Sequence, residues 1–290
     1  MILPDMVEIF EVGPRDGLQN EPRMIATDQK IALIDLLSGA GFQRIEVASF
    51  VSPRLLPQMA DAAQVLAGLN RVPGVAYAAL TPNLKGFERA LAAGADEVAI
   101  FGAASEGFSR ANINASIAQS LERFAPVAQA AAKAGVPVRG YVSCAIACPF
   151  DGPTPVAQVA RVAAALRDLG CYQISLGDTI GAGTPQSVRA MLNAVLQELP
   201  ADQLAGHFHD TGGRALANIE ASLDLGLRVF DAAVGGLGGC PFAGNAPGNV
   251  ATETVVNWLH NRGFVTGLDP EAIGQAAALA RGLRGSAGTR

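Results

Sequence analysis

Half of the 290 residues are hydrophobic and only 16% are charged, so the chain can bury a large core and falls outside the disordered class. A net charge of −5 excludes general nucleic-acid binding, which draws on dense Lys and Arg to neutralise phosphates. Four cysteines with no Cys-x-x-Cys pair exclude a disulfide framework and a zinc knuckle, and imply reduced thiols in a cytoplasmic protein. The sequence runs from Met1 directly into a strand-like segment. It shows no leader pattern and no apolar run long enough to span a membrane.

In chain order, the first strand is read over Val7–Val12 and runs into the turn Gly13-Pro14-Arg15-Asp16-Gly17. A helix follows over Thr27–Gly39, with Thr27 as its cap and Ile31, Leu33, Ile34, Leu36 and Leu37 as its apolar side. Strands are predicted at Arg44–Ala48, Val75–Leu80, Glu97–Phe101 and Val136–Cys144. A helix over Ala157–Leu169 leads to a strand at Gln173–Leu176, and a helix over Ser187–Leu199 to a strand at Ala205–His209. Both helices follow prolines placed near a helix start. The eighth strand is Val229–Ala233, and a last helix near Pro270–Leu283 is expected to pack outside the strands.

Eight β-then-α units predict an α/β fold, a TIM (β/α)8 barrel forming one domain over residues 1–290 with its active site at the C-terminal face. A doubly wound open sheet shows the same alternation. The count of eight favours the barrel, as does the absence of a G-x-G-x-x-G or Walker loop after the first strand.

The polar residues gather where such a barrel keeps its chemistry. Arg15 and Asp16 follow strand one, Glu46 lies in strand two, and Asp178 and Thr179 follow strand six. His207 and His209 close strand seven, and Cys240 and Asn249 lie beyond strand eight. Strands one and eight are neighbours in a closed barrel, so Asp16, His207, His209 and Asn249 can converge.

Alternate residues of a strand share a face, so both imidazoles of His207-Phe208-His209 can aim into the barrel mouth. With a carboxylate they make an open N/O site suited to Mg²⁺ or Mn²⁺. The plainer alternative is a histidine hydrogen-bonded within a polar core. Asp16 has a turn reading and Asn249 an N-cap reading. Arg15 reads as an anion clamp or a surface charge. Glu46, costly to bury unpaired, is expected to pair with Arg15 or a metal-bound water.

Cys240 sits among glycines in Gly235-Gly236-Leu237-Gly238-Gly239-Cys240-Pro241-Phe242, backbone able to close over a ligand. A thiol there can donate a proton to a carbanion or enolate. Cys144, Cys148 and Cys171 read as buried, inert hydrophobes. The only lysines, Lys30, Lys85 and Lys133, fall in predicted outer helices, which removes Schiff-base chemistry.

Several motifs carry a family resemblance across almost the whole chain. They include Val12-Gly13-Pro14-Arg15-Asp16-Gly17-Leu18-Gln19-Asn20-Glu21, Ser49-Phe50-Val51-Ser52-Pro53, Leu80-Thr81-Pro82-Asn83-Leu84-Lys85-Gly86-Phe87 and Phe101-Gly102-Ala103-Ala104-Ser105-Glu106. Further along come Arg139-Gly140-Tyr141-Val142-Ser143-Cys144, Ser175-Leu176-Gly177-Asp178-Thr179-Ile180-Gly181, His207-Phe208-His209-Asp210-Thr211 and the Cys240 loop. The chain resembles the 3-hydroxy-3-methylglutaryl-CoA (HMG-CoA) lyase family of barrel metallolyases.

That resemblance implies cleavage of HMG-CoA to acetyl-CoA and acetoacetate. It implies a divalent cation on Asp16, His207, His209 and Asn249, catalytic roles for Arg15 and Cys240, and Glu46 just behind them. Asp16 and His207 are both candidates for the base. The resemblance further implies CoA contacts at Asn112 and Ser116, and an acyl pocket lined by Gln19, Arg139, Tyr141 and Thr179. The expected partner is a small-molecule acyl-CoA, neither nucleic acid nor membrane, and the expected assembly a homodimer.

Gly212 and Phe242 stand where the family usually has Tyr, which bears on the acyl pocket. No Cys-bearing tail of the animal type is seen. Alternatives are a lyase for a longer branched 3-hydroxyacyl-CoA, an acetyl-CoA-condensing enzyme of the same superfamily, and a catalytically silent CoA- or metal-binding barrel.

Overall fold

Eight parallel strands close into a barrel in a computed structural model of the chain, which describes residues 5–238 and 248–284. The barrel strands are β1 (Glu8–Glu11), β2 (Arg44–Ser49), β3 (Ala76–Leu80), β4 (Glu97–Ala103), β5 (Val138–Ser143), β8 (Gln173–Asp178), β9 (Leu204–Phe208) and β10 (Val229–Ala232). Two short strands, β6 (Ala147–Cys148) and β7 (Gly152–Pro153), pair antiparallel in the β5-to-β8 connection, a hairpin the sequence reading missed. Each barrel strand pairs with its neighbours in the chain's order, and β1 closes the ring against β10 with Glu8 opposite Val229 and Glu11 opposite Ala232.

The helices lie between the strands: α1 (Thr27–Ser38), α2 (Ala62–Gly68), α3 (Leu84–Ala92), α4 (Glu106–Ile113), α5 (Ile117–Ala134), α6 (Val156–Asp168), α7 (Pro185–Val195), α8 (Ala215–Leu223), α9 (Thr252–His260) and α10 (Pro270–Leu283). Their apolar faces and the outward side chains of the strands make one continuous core, in which Phe208 of β9 is buried. The last helix packs outside the barrel as anticipated, laying Ile273, Ala276, Ala277, Ala280 and Leu283 onto that core. All three lysines lie on helices, in α1, α3 and α5. Among the described residues no helix is long and apolar enough to cross a membrane.

Two caps differ from the sequence reading. Ala26, not Thr27, precedes α1, and the Thr27 hydroxyl donates instead to Asp61 Oδ2 at 2.8 Å. Asn249 does not cap α9, which starts three residues later behind Ala251. Its side chain is drawn elsewhere.

Candidate metal centre and active site

The first turn after β1 sets the site. Val12 O accepts the backbone N–H groups of Arg15, Asp16 and Gly17 at 3.2, 2.8 and 3.2 Å, winding Gly13–Gly17 into a single π-helical turn. Pro14 starts this turn where a missing N–H costs nothing. A side chain at Gly17 would place its Cβ 2.6 Å from Leu237 Cβ, so only glycine lets the turn press against the segment after β10. On that segment Gly238, at φ +94°, approaches Gly17 and Asn249 in the same way.

Asp16, His207 and His209 present ligand atoms that all lie within 4.8 Å of one another. The two imidazole centroids are 5.3 Å apart, both on the barrel-mouth side of β9 as their alternation requires. Asn249 joins them across a backbone bridge to His209, and its amide nitrogen donates to Asp16 Oδ2 at 2.7 Å. Its carbonyl oxygen is the atom a cation would take.

Burial pushes the His209 imidazole down to about 4, reinforced by His207, so the ring is neutral at physiological pH. Its Nδ1 is buried without a hydrogen-bond partner among the described residues. An orphaned buried acceptor of this kind costs on the order of 1–3 kcal/mol, unless something else takes its lone pair. Burial opposes ionisation of Asp16, yet Arg15, His207 and the Asn249 hydrogen bond together hold its carboxyl below the usual range. One carboxylate, two imidazoles and an amide oxygen therefore fit a divalent cation of the Mg²⁺ or Mn²⁺ kind.

Behind this cluster lies a belt of buried charge. Arg15, 5% exposed, donates to Asp16 Oδ1 at 2.8 Å and grips Glu46 Oε2 through Nε at 2.6 Å. Desolvation works against its charge, but Glu46 and Asp16 hold the guanidinium protonated. The Tyr141 hydroxyl donates to the same Glu46 oxygen at 3.2 Å and accepts from Arg139 at 3.0 Å, leaving Glu46 Oε1 buried without a partner among the described residues. Glu46 thus pairs with Arg15, one of the two partners expected of it. In β2 the register slips by one residue between Glu46 and Ala48, a bulge beside the site.

A cavity of about 680 Å³ opens above the cluster. Arg15, Asp16, His207 and His209 line it, together with Gln19, Asn112, Tyr141 and Thr179. Arg139, expected in the acyl pocket, is fully buried and tied to Asp231 and Gln173, and Ser116, expected at the CoA moiety, caps α5, accepting from Gln119 N at 3.1 Å. Cys240 and Phe242 lie outside the described residues.

A family model described as HMGL-like matches residues 6–280. A Pseudomonas aeruginosa protein named 3-hydroxy-3-isohexenylglutaryl-CoA/hydroxy-methylglutaryl-CoA lyase is 57% identical over 273 residues, 94% of this chain and 91% of its own length. The chain belongs to the HMG-CoA lyase family.

Solved structures of family members superpose closely. An HMG-CoA lyase from Brucella melitensis has a TM-score of 0.96 at 58% identity, covering 97% of this chain and 99% of its own. One from Acinetobacter baumannii, in complex with coenzyme A and 3-methylmalate, has a TM-score of 0.92 at 39% identity, covering 98% and 92%.

Two carboxylates at the heart of this family member were not singled out from sequence. Asp231, at 0% exposure, pairs with Arg139 at 2.6 Å and lies 3.1 Å from His207 Nδ1. Glu11, equally buried, accepts from Gly13 N at 2.8 Å, Val234 N at 2.9 Å and Thr252 Oγ1 at 2.6 Å. The signal that flagged Glu46, a lone acid in an apolar strand, is present at Asp231, whereas Glu11 shares its strand with Glu8.

Proposed function

We propose that the protein is a divalent-cation-dependent carbon–carbon lyase that cleaves HMG-CoA to acetyl-CoA and acetoacetate. The observation that carries this reading is the Asp16–His207–His209 cluster lining the cavity, with the Asn249 amide alongside and Arg15 next to it. The Acinetobacter relative is described in complex with coenzyme A and 3-methylmalate, and the cavity here, about 680 Å³, is of the size that holds small-molecule ligands.

The cation, held by Asp16, His207, His209 and Asn249, would supply Lewis-acid polarisation of the substrate's tertiary hydroxyl and a neighbouring oxygen. Asp16 and His207 are the candidate acceptors of that hydroxyl's proton. As the C2–C3 bond breaks, its electron pair becomes the enolate of acetyl-CoA, and the former hydroxyl carbon becomes the ketone of acetoacetate. Arg15, kept charged by Glu46 and Asp16, offsets negative charge on the thioester oxygen, a contribution of about 3 kcal/mol for a well-placed donor. The Cys240 thiol then delivers a proton to the enolate carbon, and the proton taken at the start restores it.

The test is acetyl-CoA release from HMG-CoA, coupled to citrate synthase, before and after exhaustive chelation. Turnover should vanish with the metal and return with Mg²⁺ or Mn²⁺; unchanged turnover refutes the cation's role. Cys240→Ser and Arg15→Gln should lose on the order of 100-fold or more in kcat while keeping the metal. His207→Ala should lose both.

A second substrate is favoured by one comparison. The Pseudomonas relative is named for an isohexenyl-bearing substrate as well, and the cavity here is lined by Leu55, Leu56, Leu80, Phe101, Phe108 and Ile113. Assay of branched 3-hydroxyacyl-CoA thioesters of increasing tail length decides whether this chain shares that breadth.

A further inference from the structure

Asp231 lies in the middle of β10, directly opposite His207 of β9 in the parallel register. Its carboxylate points into the barrel, where no part of it reaches solvent. Arg139 grips both oxygens, at 2.6 Å to Oδ1 and 3.2 Å to Oδ2. Ser175 donates to Oδ2 at 2.7 Å, and His207 Nδ1 stands 3.1 Å from that same oxygen.

Arg139 is itself immobilised. Gln173 accepts from its Nε at 2.9 Å, the Tyr141 hydroxyl accepts from Nη1 at 3.0 Å, and its guanidinium lies 4.1 Å from the Phe10 ring centroid. The Asp231 carboxylate therefore cannot turn away from the imidazole.

A carboxylate paired with a guanidinium accepts hydrogen bonds and has none to give. The hydrogen between Asp231 and His207 must then sit on Nδ1, so whenever the ring is neutral its lone pair is on Nε2. A metal-binding histidine held from behind by a carboxylate is a recurrent way to fix both tautomer and ring direction.

We propose that Asp231 is a positioning residue for the cation, holding His207 as the Nδ1–H tautomer with Nε2 turned toward Asp16 and His209. The inference rests on the cation reading given above. It adds a residue that touches neither substrate nor metal and, with Nδ1 protonated and Nε2 turned to the cation, leaves Asp16 of the two candidates as the acceptor of the hydroxyl's proton.

The first test is read on the wild-type protein without metal. The chain has only three histidines, so long-range ¹⁵N–¹H correlation spectra of the metal-free protein resolve each ring, with His207 assigned by the signal lost in His207→Gln. Burial opposes a second proton on this ring but Asp231 and Asp16 favour one, so the spectra are taken at alkaline pH, where a protonated Nδ1 and an unprotonated Nε2 are expected for His207. The reverse tautomer overturns the proposal.

The second test is Asp231→Asn, whose amide can offer a hydrogen to Nδ1 and so release the tautomer. Mn²⁺ titration followed by electron paramagnetic resonance should show roughly 10- to 100-fold weaker binding in the folded fraction. Wild-type Mn²⁺ affinity in folded Asp231→Asn overturns the proposal. Removing a partner from buried Arg139 is itself destabilising, and if this variant does not fold the wild-type spectra decide alone. Failure of the wild-type protein to bind Mn²⁺ refutes the cation reading, whereas Mn²⁺ uptake with an Nε2–H His207 refutes only the role of Asp231.

Discussion

Asn249 shows how a single side chain is diverted by its surroundings. An asparagine just ahead of a helix would ordinarily satisfy that helix's first N–H groups. Here its amide nitrogen instead donates to Asp16 Oδ2 at 2.7 Å and Leu237 O at 3.3 Å, tying the segment after β10 to the turn after β1. Asn249→Ala should therefore lower metal affinity by about 10-fold or more. Loss of its hydrogen bonds should cost about 1 kcal/mol of folding stability each. His260, whose Nε2 lies 2.8 Å from Thr266 Oγ1 at the end of α9, supplies the control. Metal content by mass spectrometry should drop in Asn249→Ala and stay at the wild-type level in His260→Ala; equal retention in both would remove Asn249 from the site.

At the scale of elements, function is concentrated in the junction of the Gly13–Gly17 turn with the backbone at Leu237 and Gly238. The turn carries Arg15 and Asp16 only because two glycines allow backbone to meet backbone there. Gly17→Ala places a methyl group 2.6 Å from Leu237 Cβ, and this overpacking should cost about 1–3 kcal/mol. Displacing Asp16 by as little as ~1 Å can cost on the order of 100-fold in turnover. Thermal melts and kcat measured on Gly17→Ala should both fall, and wild-type values for the two would show that the turn has room to spare. The glycines were visible in the sequence, but their necessity was not, since it depends on a segment more than 200 residues away. The strands were read closely, with Val136–Cys144 contracting to Val138–Ser143, while the β6–β7 hairpin was missed because two-residue strands carry no periodicity.

Across the whole molecule, Glu11 joins the ends of the barrel ring. It binds Gly13 at the start of the turn after β1, Val234 after β10 and Thr252 at the start of α9. Burial pushes its carboxyl up from the usual 4.5 to about 7, against the pull of these three hydrogen bonds. The folded protein thus keeps a proton that the unfolded chain releases, so the stabilisation is complete below pH 4.5 and is lost as pH rises toward 7. The slope is about 1.4 kcal/mol per pH unit, or about 3 kcal/mol in all. A glutamine side chain at this position would mimic the protonated acid, its oxygen accepting from the two N–H groups and its amide donating to Thr252. Denaturant melts should show Glu11→Gln gaining stability over the wild type between about pH 5 and pH 8; a constant difference would mean that Glu11 folds already ionised. The amino-acid sequence by itself determined the barrel, the strand ends that bear Arg15, Asp16, His207 and His209, and the family, because periodicity and local motifs survive in one dimension. Only the tertiary structure decided that Arg139 pairs with Asp231, that Asn249 reaches Asp16 rather than its own helix, and that Asp231 stands behind His207. Those choices turn on which strands lie side by side and at what register, and a buried charge is satisfied by whatever partner closure of the ring brings within about 3 Å.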